Sequence, residues 1–155
     1  MNIIRTLCFL TCLALFSTYG CSKDNFPPVE IMSSRFYIVN IDKDGKRTFS
    51  ATQEVPLRED QHYGWILSLR TNKDVIHYTE QITLADATDW PQGDQYHVSA
   101  DRRSVTVDKT KSSHTGVISG GWVIAAKDPP GMASIKILIE GKVEHHFDFE
   151  LKKPE

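Results

Sequence analysis

The chain has 155 residues, and its 18 Lys and Arg nearly balance its 20 Asp and Glu, which gives a formal net charge of −2 at pH 7. A nucleic-acid-binding domain needs a concentrated basic surface, so this balance argues against nucleic acid as a partner. The length fits a single domain, which buries enough surface to form a core without disulfides.

Residues 1–20 are predicted to be a signal peptide. A single cation, Arg5, precedes an apolar run at residues 7–16. That run is about half the roughly 20 residues that a membrane-spanning helix needs, and it fits the apolar core of a signal peptide. No second long apolar run follows. Removal of Arg5 with this segment would change the net charge from −2 to −3.

The sequence Thr18-Tyr19-Gly20-Cys21 resembles a lipobox, the site at which bacterial lipoprotein precursors are acylated on cysteine and cleaved. The resemblance implies a mature protein that begins with an acylated Cys21 and is bound to membrane lipid. It also favours the outer membrane, on its periplasmic or surface side, because Ser22 follows where an inner-membrane retention signal would carry Asp.

The cysteine count bears on the same point. Cys8 and Cys12 lie in the predicted signal peptide, so the mature chain keeps only Cys21, which has no partner for an intramolecular disulfide. Acylation accounts for such a lone cysteine. The alternative is cleavage after Gly20 by an ordinary signal peptidase, which would leave a soluble protein with a free thiol. The lipobox family usually carries Leu and a small residue where this chain has Thr18 and Tyr19.

The mature chain is predicted to consist of a linker and one domain. Residues 21–34 are polar and contain Pro27 and Pro28, as expected for a short, stiffened spacer. Residues 35–155 are predicted to form the folded domain. No internal repeat or low-complexity segment divides it, and no stretch has convincing helical periodicity, although residues 86–94 could hold one irregular turn.

From residue 35 onward, alternating apolar residues predict β-strands. The clearest rows are Tyr63, Trp65, Leu67 and Leu69; Ile76, Tyr78, Glu80, Ile82 and Leu84; Ile135, Ile137 and Ile139; and Val143, His145, Phe147, Phe149 and Leu151. Weaker candidates lie at 96–99 and 104–109, and 122–125 is predicted to be buried. The sequences Asp42-Lys43-Asp44-Gly45 and Glu140-Gly141 predict tight hairpins.

These strands predict an all-β fold, an antiparallel β-sandwich of about eight or nine strands. In residues 36–41 apolar side chains occupy both faces, and two sheets packed face to face would bury both rows. The segment 63–151 resembles immunoglobulin-like domains of uncharacterised bacterial exported proteins. The residues that carry this resemblance are Trp122, Asp128-Pro129-Pro130-Gly131, the isoleucine row, Gly141-Lys142, Phe147, Phe149 and Leu151. It implies a fold and transfers no catalytic residue.

We identify no catalytic residue, metal ligand or cofactor motif in the sequence. The six histidines are scattered, and no CxxC or HExxH spacing occurs. The adjacent His145 and His146 would point to opposite faces of a strand. Residues 116–120 have the wrong spacing for a nucleophile elbow. The protein is therefore predicted not to be an enzyme.

Glu80 is the one charged residue in register with an apolar row, and a buried charge without a partner is costly. Three interpretations remain open. A bulge could turn Glu80 outward; it could pair with Arg70, Lys136 or a tyrosine hydroxyl; or it could line a binding cleft with a raised pKa.

Trp90 lies in a loop among carboxylates, of which Asp89 is adjacent. Such a loop could stack on a sugar ring or grip a small ligand. Alternatively, the indole could cap the end of the sandwich, with its N–H donated to a carbonyl.

The leading functional hypothesis is a non-catalytic cell-envelope lipoprotein whose sandwich binds or scaffolds another envelope protein. Open sheet edges are one means of such binding. The alternative is a glycan- or small-ligand-binding module that uses Trp90, Asp89 and Glu80.

Overall fold

The computed structural model describes residues 29–154, and in this range it contains strands and no helix. The ten strands are β1 Val29–Ile41, β2 Arg47–Ser50, β3 Glu54–Pro56, β4 His62–Thr71, β5 Val75–Thr83, β6 Tyr96–Val98, β7 Ser104–Ser112, β8 Val117–Val123, β9 Gly131–Ile139 and β10 Val143–Lys152. The all-β prediction is confirmed. None of the described residues belongs to a helix that could cross a membrane.

The strands form two sheets that pack as a sandwich. The four-stranded sheet has the order β2-β1-β4-β8, and the six-stranded sheet has the order β3-β10-β9-β5-β7-β6. All pairings are antiparallel except β3 with β10, which is parallel. Ten strands are present instead of the expected eight or nine, because β3, with only three residues, is too short to show an alternating pattern.

Two segments differ from the sequence-based expectation. β1 begins at Val29 and pairs with β4 from there, so residues 29–34, expected in the linker, belong to the four-stranded sheet. The run expected to be buried at 122–125 covers the end of β8 and the two residues after it; Ile124 is buried, whereas Val123 is 43% exposed. This strand lies at the edge of its sheet, where one side has no neighbouring strand.

Both predicted hairpins are present. In the β1–β2 turn, the backbone N–H groups of Asp44 and Lys46 each donate to Asp42 Oδ1 at 2.9 Å. In the β9–β10 turn, Glu140 and Gly141 have φ angles of 53° and 64°. Two consecutive residues with positive φ match the right-handed twist of the flanking strands.

The core lies between the sheets and is built from the predicted rows. All four members of the β4 row and all five of the 76–84 row, including Glu80, are buried. The isoleucine row of β9 and Phe147, Phe149 and Leu151 of β10 complete it. Each fully buried aliphatic side chain contributes roughly 1.5–3 kcal/mol relative to exposure.

The expectation that both apolar faces of residues 36–41 would be buried is wrong. Phe36 is buried between the sheets, whereas on the opposite face Ile41 is 50% exposed. Phe49, which pairs with Val39 from β2, is 66% exposed on that same face. No other element of the described chain covers the outer face of the four-stranded sheet.

Candidate functional site

The outer face of the four-stranded sheet carries an open, largely apolar depression. This outer groove has a volume of about 750 Å³. Its lining residues are Arg35, Tyr37, Phe49, Ala51, Ile66 and Ser119.

Strand register brings these residues together. Arg35 pairs with Ile66 across β1 and β4, and Ile66 pairs with Ser119 across β4 and β8. The rings of Tyr37 and Phe49 meet edge to face, with centroids 5.2 Å apart. Two aromatic rings in this geometry form a rigid apolar surface with one polar hydroxyl, a combination that is enriched at protein interfaces.

A glycine allows Tyr37 to lie across the sheet. Tyr37 pairs with Gly64 of β4, and a Cβ placed on Gly64 would lie 3.2 Å from the Tyr37 hydroxyl oxygen. The same Cβ would overlap the carbonyl oxygen of Gly120 on β8. The missing side chain therefore lets the phenol ring sit close to the backbone of the sheet.

The outer groove is flanked by positive charge. Arg35 lines it and Arg47 lies two residues from Phe49 on the same face. Within residues 29–154, neither arginine forms an ion pair with a carboxylate. Burial raises the pKa of Tyr37, so its hydroxyl is protonated near neutral pH. The outer groove is thus apolar at its centre and cationic at its margin.

Glu80 lies between the sheets rather than at the surface. Its side chain is fully buried, and Oε1 accepts hydrogen bonds from the indole N–H groups of Trp65 at 2.8 Å and Trp122 at 2.7 Å. Oε2 forms an ion pair with Lys109, whose side chain is 30% exposed. No bulge turns Glu80 outward. Its partners are also not Arg70, Lys136 or a tyrosine hydroxyl, the three groups predicted from the sequence.

The hydrogen bonds and the ion pair of the Glu80 carboxylate link four strands. Glu80 and Lys109 lie on β5 and β7, and the two tryptophans lie on β4 and β8 of the opposite sheet. Burial, with a smaller effect of the Glu80 charge, raises the pKa of Tyr78 to about 12. Because the carboxylate has donors on both oxygens and no open space around it, this cluster is a polar connection between sheets.

Gly120 provides the space for this cluster. A Cβ added there would lie 2.6 Å from Trp65 Nε1 and 2.8 Å from Glu80 Oε2, and Trp65 is fully buried and cannot move aside. We expect Gly120→Ala to lower the free energy of unfolding by about 1–3 kcal/mol through overpacking. In the matched control Gly121→Ala, the nearest atom is a carbonyl oxygen at 3.3 Å. Urea denaturation that ranks Gly121→Ala as the more harmful change would contradict this account.

Trp90 is buried at the end of the sandwich. Its N–H donates to the backbone carbonyl of Arg102 at 2.7 Å, and its ring meets that of Trp122 edge to face, with centroids 6.2 Å apart. Only 8% of Trp90 is exposed. The neighbouring Asp89 is at the surface, where it pairs with Arg102 and with Lys127 at 2.8 Å, and these interactions lower its pKa. No ring face of Trp90 is available for stacking on a sugar.

The predicted site residues therefore occupy separate environments. Trp122 contacts both Glu80 and Trp90, whereas Asp89 lies at the surface with Arg102 and Lys127. Cys21 lies outside the described residues. In residues 29–154 no group of three or more His, Cys, Asp and Glu side chains is placed to hold a metal ion.

The sequence pattern did not identify the outer groove. Its one visible signal is the second apolar row of β1, Tyr37, Val39 and Ile41, opposite Phe36 and Ile38. Phe49 stands alone among polar residues of β2. A single aromatic residue in a four-residue strand gives no indication of which face it occupies until the register with β1 is known.

The fold has known structural relatives. An immunoglobulin-like protein from Pseudomonas aeruginosa superimposes with a TM-score of 0.58 at 11% identity, over 80% of this chain and 96% of that chain. The soluble domain of PmoD from Methylocystis sp. ATCC 49242 (Rockwell) gives a TM-score of 0.42 at 13% identity, with the same coverage. The first similarity confirms the immunoglobulin-like sandwich and shows the fold alone.

The sequence comparisons identify a family. No curated protein matches the chain. The model of the PM0630 beta sandwich domain matches residues 34–152, which is most of the chain, and the protein therefore belongs to the PM0630 beta sandwich domain family.

Proposed function

We propose that this protein is a non-catalytic cell-envelope lipoprotein whose sandwich binds another envelope protein through the outer groove. The observation that carries the proposal is the aromatic pair of half-buried Tyr37 and exposed Phe49 on an uncovered sheet face. Large apolar side chains held in a rigid cluster at the surface are typical of binding sites, and aromatic residues with arginine dominate the binding energy of protein interfaces.

The proposed anchor suits this use of the domain. Seven residues, 22–28, separate Cys21 from Val29 at the start of β1, and the eight Cα–Cα steps between Cys21 and Val29 can span at most about 29 Å. Tyr37 lies eight residues further along the strand, roughly 27 Å from Val29. Acylation of Cys21 would thus hold the domain near the membrane with the outer groove away from the tethered end, where a second envelope protein can reach it.

The glycan-binding alternative has less support. It depends on a ring face of Trp90, and that ring is buried and hydrogen-bonded. Glu80, the other residue proposed for it, is enclosed between the sheets. No observation on the described residues favours this alternative over protein binding.

The anchor is tested by labelling cells with a clickable fatty acid. We expect wild-type protein to carry the label and to fractionate with membranes, and we expect Cys21→Ala to lose both properties. An unlabelled wild-type protein with a free amino terminus would contradict the lipoprotein proposal and leave the domain's binding surface to be tested separately.

The outer groove is tested by crosslinking in the envelope. We expect Phe49→Ala to reduce recovery of a crosslinked partner by about tenfold, the effect of losing one aromatic contact residue. Met132→Ala is the matched control, since Met132 is 63% exposed on the other sheet and Phe49 is 66% exposed. Both variants should keep the wild-type melting temperature. Equal recovery from the two variants would contradict binding through this surface.

A further inference from the structure

Within residues 29–154, the first strand of the sandwich is open along most of one edge. β1 has thirteen residues, and β2 pairs only with its last four, Ile38–Ile41. On that side, residues 29–37 have no neighbouring strand in the described part of the chain. β10 has the same feature, because β3 pairs only with residues 150–152.

These two open edges lie on either side of a cleft. The link from β2 to β3 crosses from one sheet to the other, and Gln53 of this link accepts a hydrogen bond from Glu150 N at 2.8 Å. Beside it, a side cleft of about 650 Å³ separates β1 from β10. Residues lining the side cleft include Arg35, Phe36, Gln53, His145, Phe147 and Asp148.

The inner wall of the side cleft is apolar. The rings of Phe36 and Phe147 lie with centroids 6.1 Å apart, and His145 meets Phe147 edge to face at 4.7 Å. Burial, together with the neighbouring His146, lowers the pKa of His145, so this imidazole is neutral near pH 7. A side chain that enters the side cleft from the edge of β1 therefore meets uncharged rings.

The backbone at the open edge has unused hydrogen-bonding capacity. Asp42 N donates to Lys46 O at 3.1 Å. The backbone groups of every second residue in an antiparallel strand point to the same side, so those of the even-numbered residues near this end of β1 point toward β2. Continuing that alternation along β1, the N–H and C=O groups of Ser34 and Phe36 point away from β4 toward the open side. Such an edge is a template for another strand.

We propose that the open edge of β1 accepts an extended segment of a partner protein as an added strand in line with β2. This inference rests on the proposed function, that the sandwich binds another protein, and it specifies how. One row of the segment's side chains would enter the side cleft against Phe36 and Phe147. The other row would lie on the outer groove beside Arg35 and Tyr37.

Charge specifies the chemistry of the segment. Arg35 lies on the outer face beside the open edge with no carboxylate partner among residues 29–154, and the row that enters the cleft meets neutral rings. The segment is therefore one with apolar residues at alternate positions and acidic residues between them, a pattern that places every carboxylate on the arginine side.

A defined probe tests this directly. The protein, expressed from its full sequence and purified, is titrated by fluorescence anisotropy with a labelled peptide of alternating glutamate and valine. About eight residues match the length of the open edge. We expect saturable binding, weakened about tenfold or more when backbone amides of the peptide are N-methylated, since this removes strand hydrogen bonds and leaves the side chains. Replacing glutamate by lysine should weaken binding by a similar factor.

A matched pair of variants tests the edge itself. Ser34→Pro removes one edge N–H, and proline is tolerated on edge strands; Ser34→Ala removes only the hydroxyl. We expect Ser34→Pro to lose peptide binding about tenfold and Ser34→Ala to retain it, with both proteins checked by thermal melting. Equal binding of the N-methylated peptide would overturn strand addition even if Ser34→Pro failed to fold.

The experiments distinguish a failure of strand addition from a failure of the proposed function. A crosslinked partner that depends on Phe49 but survives in a folded Ser34→Pro variant would overturn strand addition and keep the outer groove as a binding surface. Concentration-dependent dimers of the wild type that Ser34→Pro abolishes would instead assign the edge to a second copy of this chain. Binding to lipid vesicles without binding to the acidic peptide would also overturn the inference.

Discussion

Replacing Glu80 with leucine is expected to lower the free energy of unfolding by about 3–5 kcal/mol, although leucine is apolar and similar in size. The substitution leaves the indole N–H groups of fully buried Trp65 and partly buried Trp122 without their acceptor. Each buried unsatisfied donor costs about 1–3 kcal/mol. Lys109 also loses its counter-charge, although its side chain is partly exposed and can turn toward water.

Denaturation with urea and with heat measures this effect. A loss of this size should lower the melting temperature by roughly 9–25 °C, given about 3–5 °C per kcal/mol for a domain of this size. Glu80→Gln should cost less than Glu80→Leu, since the amide oxygen can still accept both indole hydrogen bonds. A leucine variant as stable as the wild type would show that the cluster contributes nothing net, as happens for some buried ion pairs.

A surface ion pair provides the control. Glu54 and Lys152 form one at 3.2 Å, with side chains 59% and 49% exposed. Pairs of this kind contribute little because water screens the charges and ordering the side chains costs entropy. We expect Glu54→Gln to leave the melting temperature unchanged. A comparable loss in both variants would indicate a general charge effect and not the buried arrangement around Glu80.

Alternation along single strands was sufficient to predict the core and the anomaly at Glu80. Period-two rows predict which residues share a face, and the row of 76–84 placed a carboxylate among apolar neighbours. The partners of Glu80 could not be predicted in the same way. Trp65 and Trp122 lie 15 and 42 residues away and in the opposite sheet, so their approach depends on how the two sheets align.

The outer groove could not be predicted from alternation along single strands. Apolar residues on both faces of β1 predict two buried rows, which holds only if each face has a covering layer. In the described chain the four-stranded sheet has the six-stranded sheet on one face and solvent on the other. Which face is covered is a property of the assembled sandwich, and residue patterns within β1 and β2 do not contain it.

Trp90→Ala is the second substitution expected to have a large effect, and it separates the two interpretations of the loop. If Trp90 caps the core, removal of its indole leaves a cavity next to Trp122 and costs about 3–5 kcal/mol. The Arg102 carbonyl, which also accepts a hydrogen bond from Thr88 N at 3.2 Å, loses one of its two donors. The cavity and the lost hydrogen bond both destabilise the turn at the end of the sandwich.

Trp90→Phe separates the contribution of ring packing from that of the indole hydrogen bond. Phenylalanine keeps most of the ring packing and removes the N–H, so we expect a cost near 1 kcal/mol for the hydrogen bond plus a small packing term. Melting curves of the alanine and phenylalanine variants, measured beside binding assays with cell-wall and surface saccharides, decide the matter. A Trp90→Ala protein with unchanged stability and abolished saccharide binding would return the loop to ligand recognition. A large loss of stability would assign the indole to the core, because one buried ring cannot both seal the end of the sandwich and present a face to a sugar.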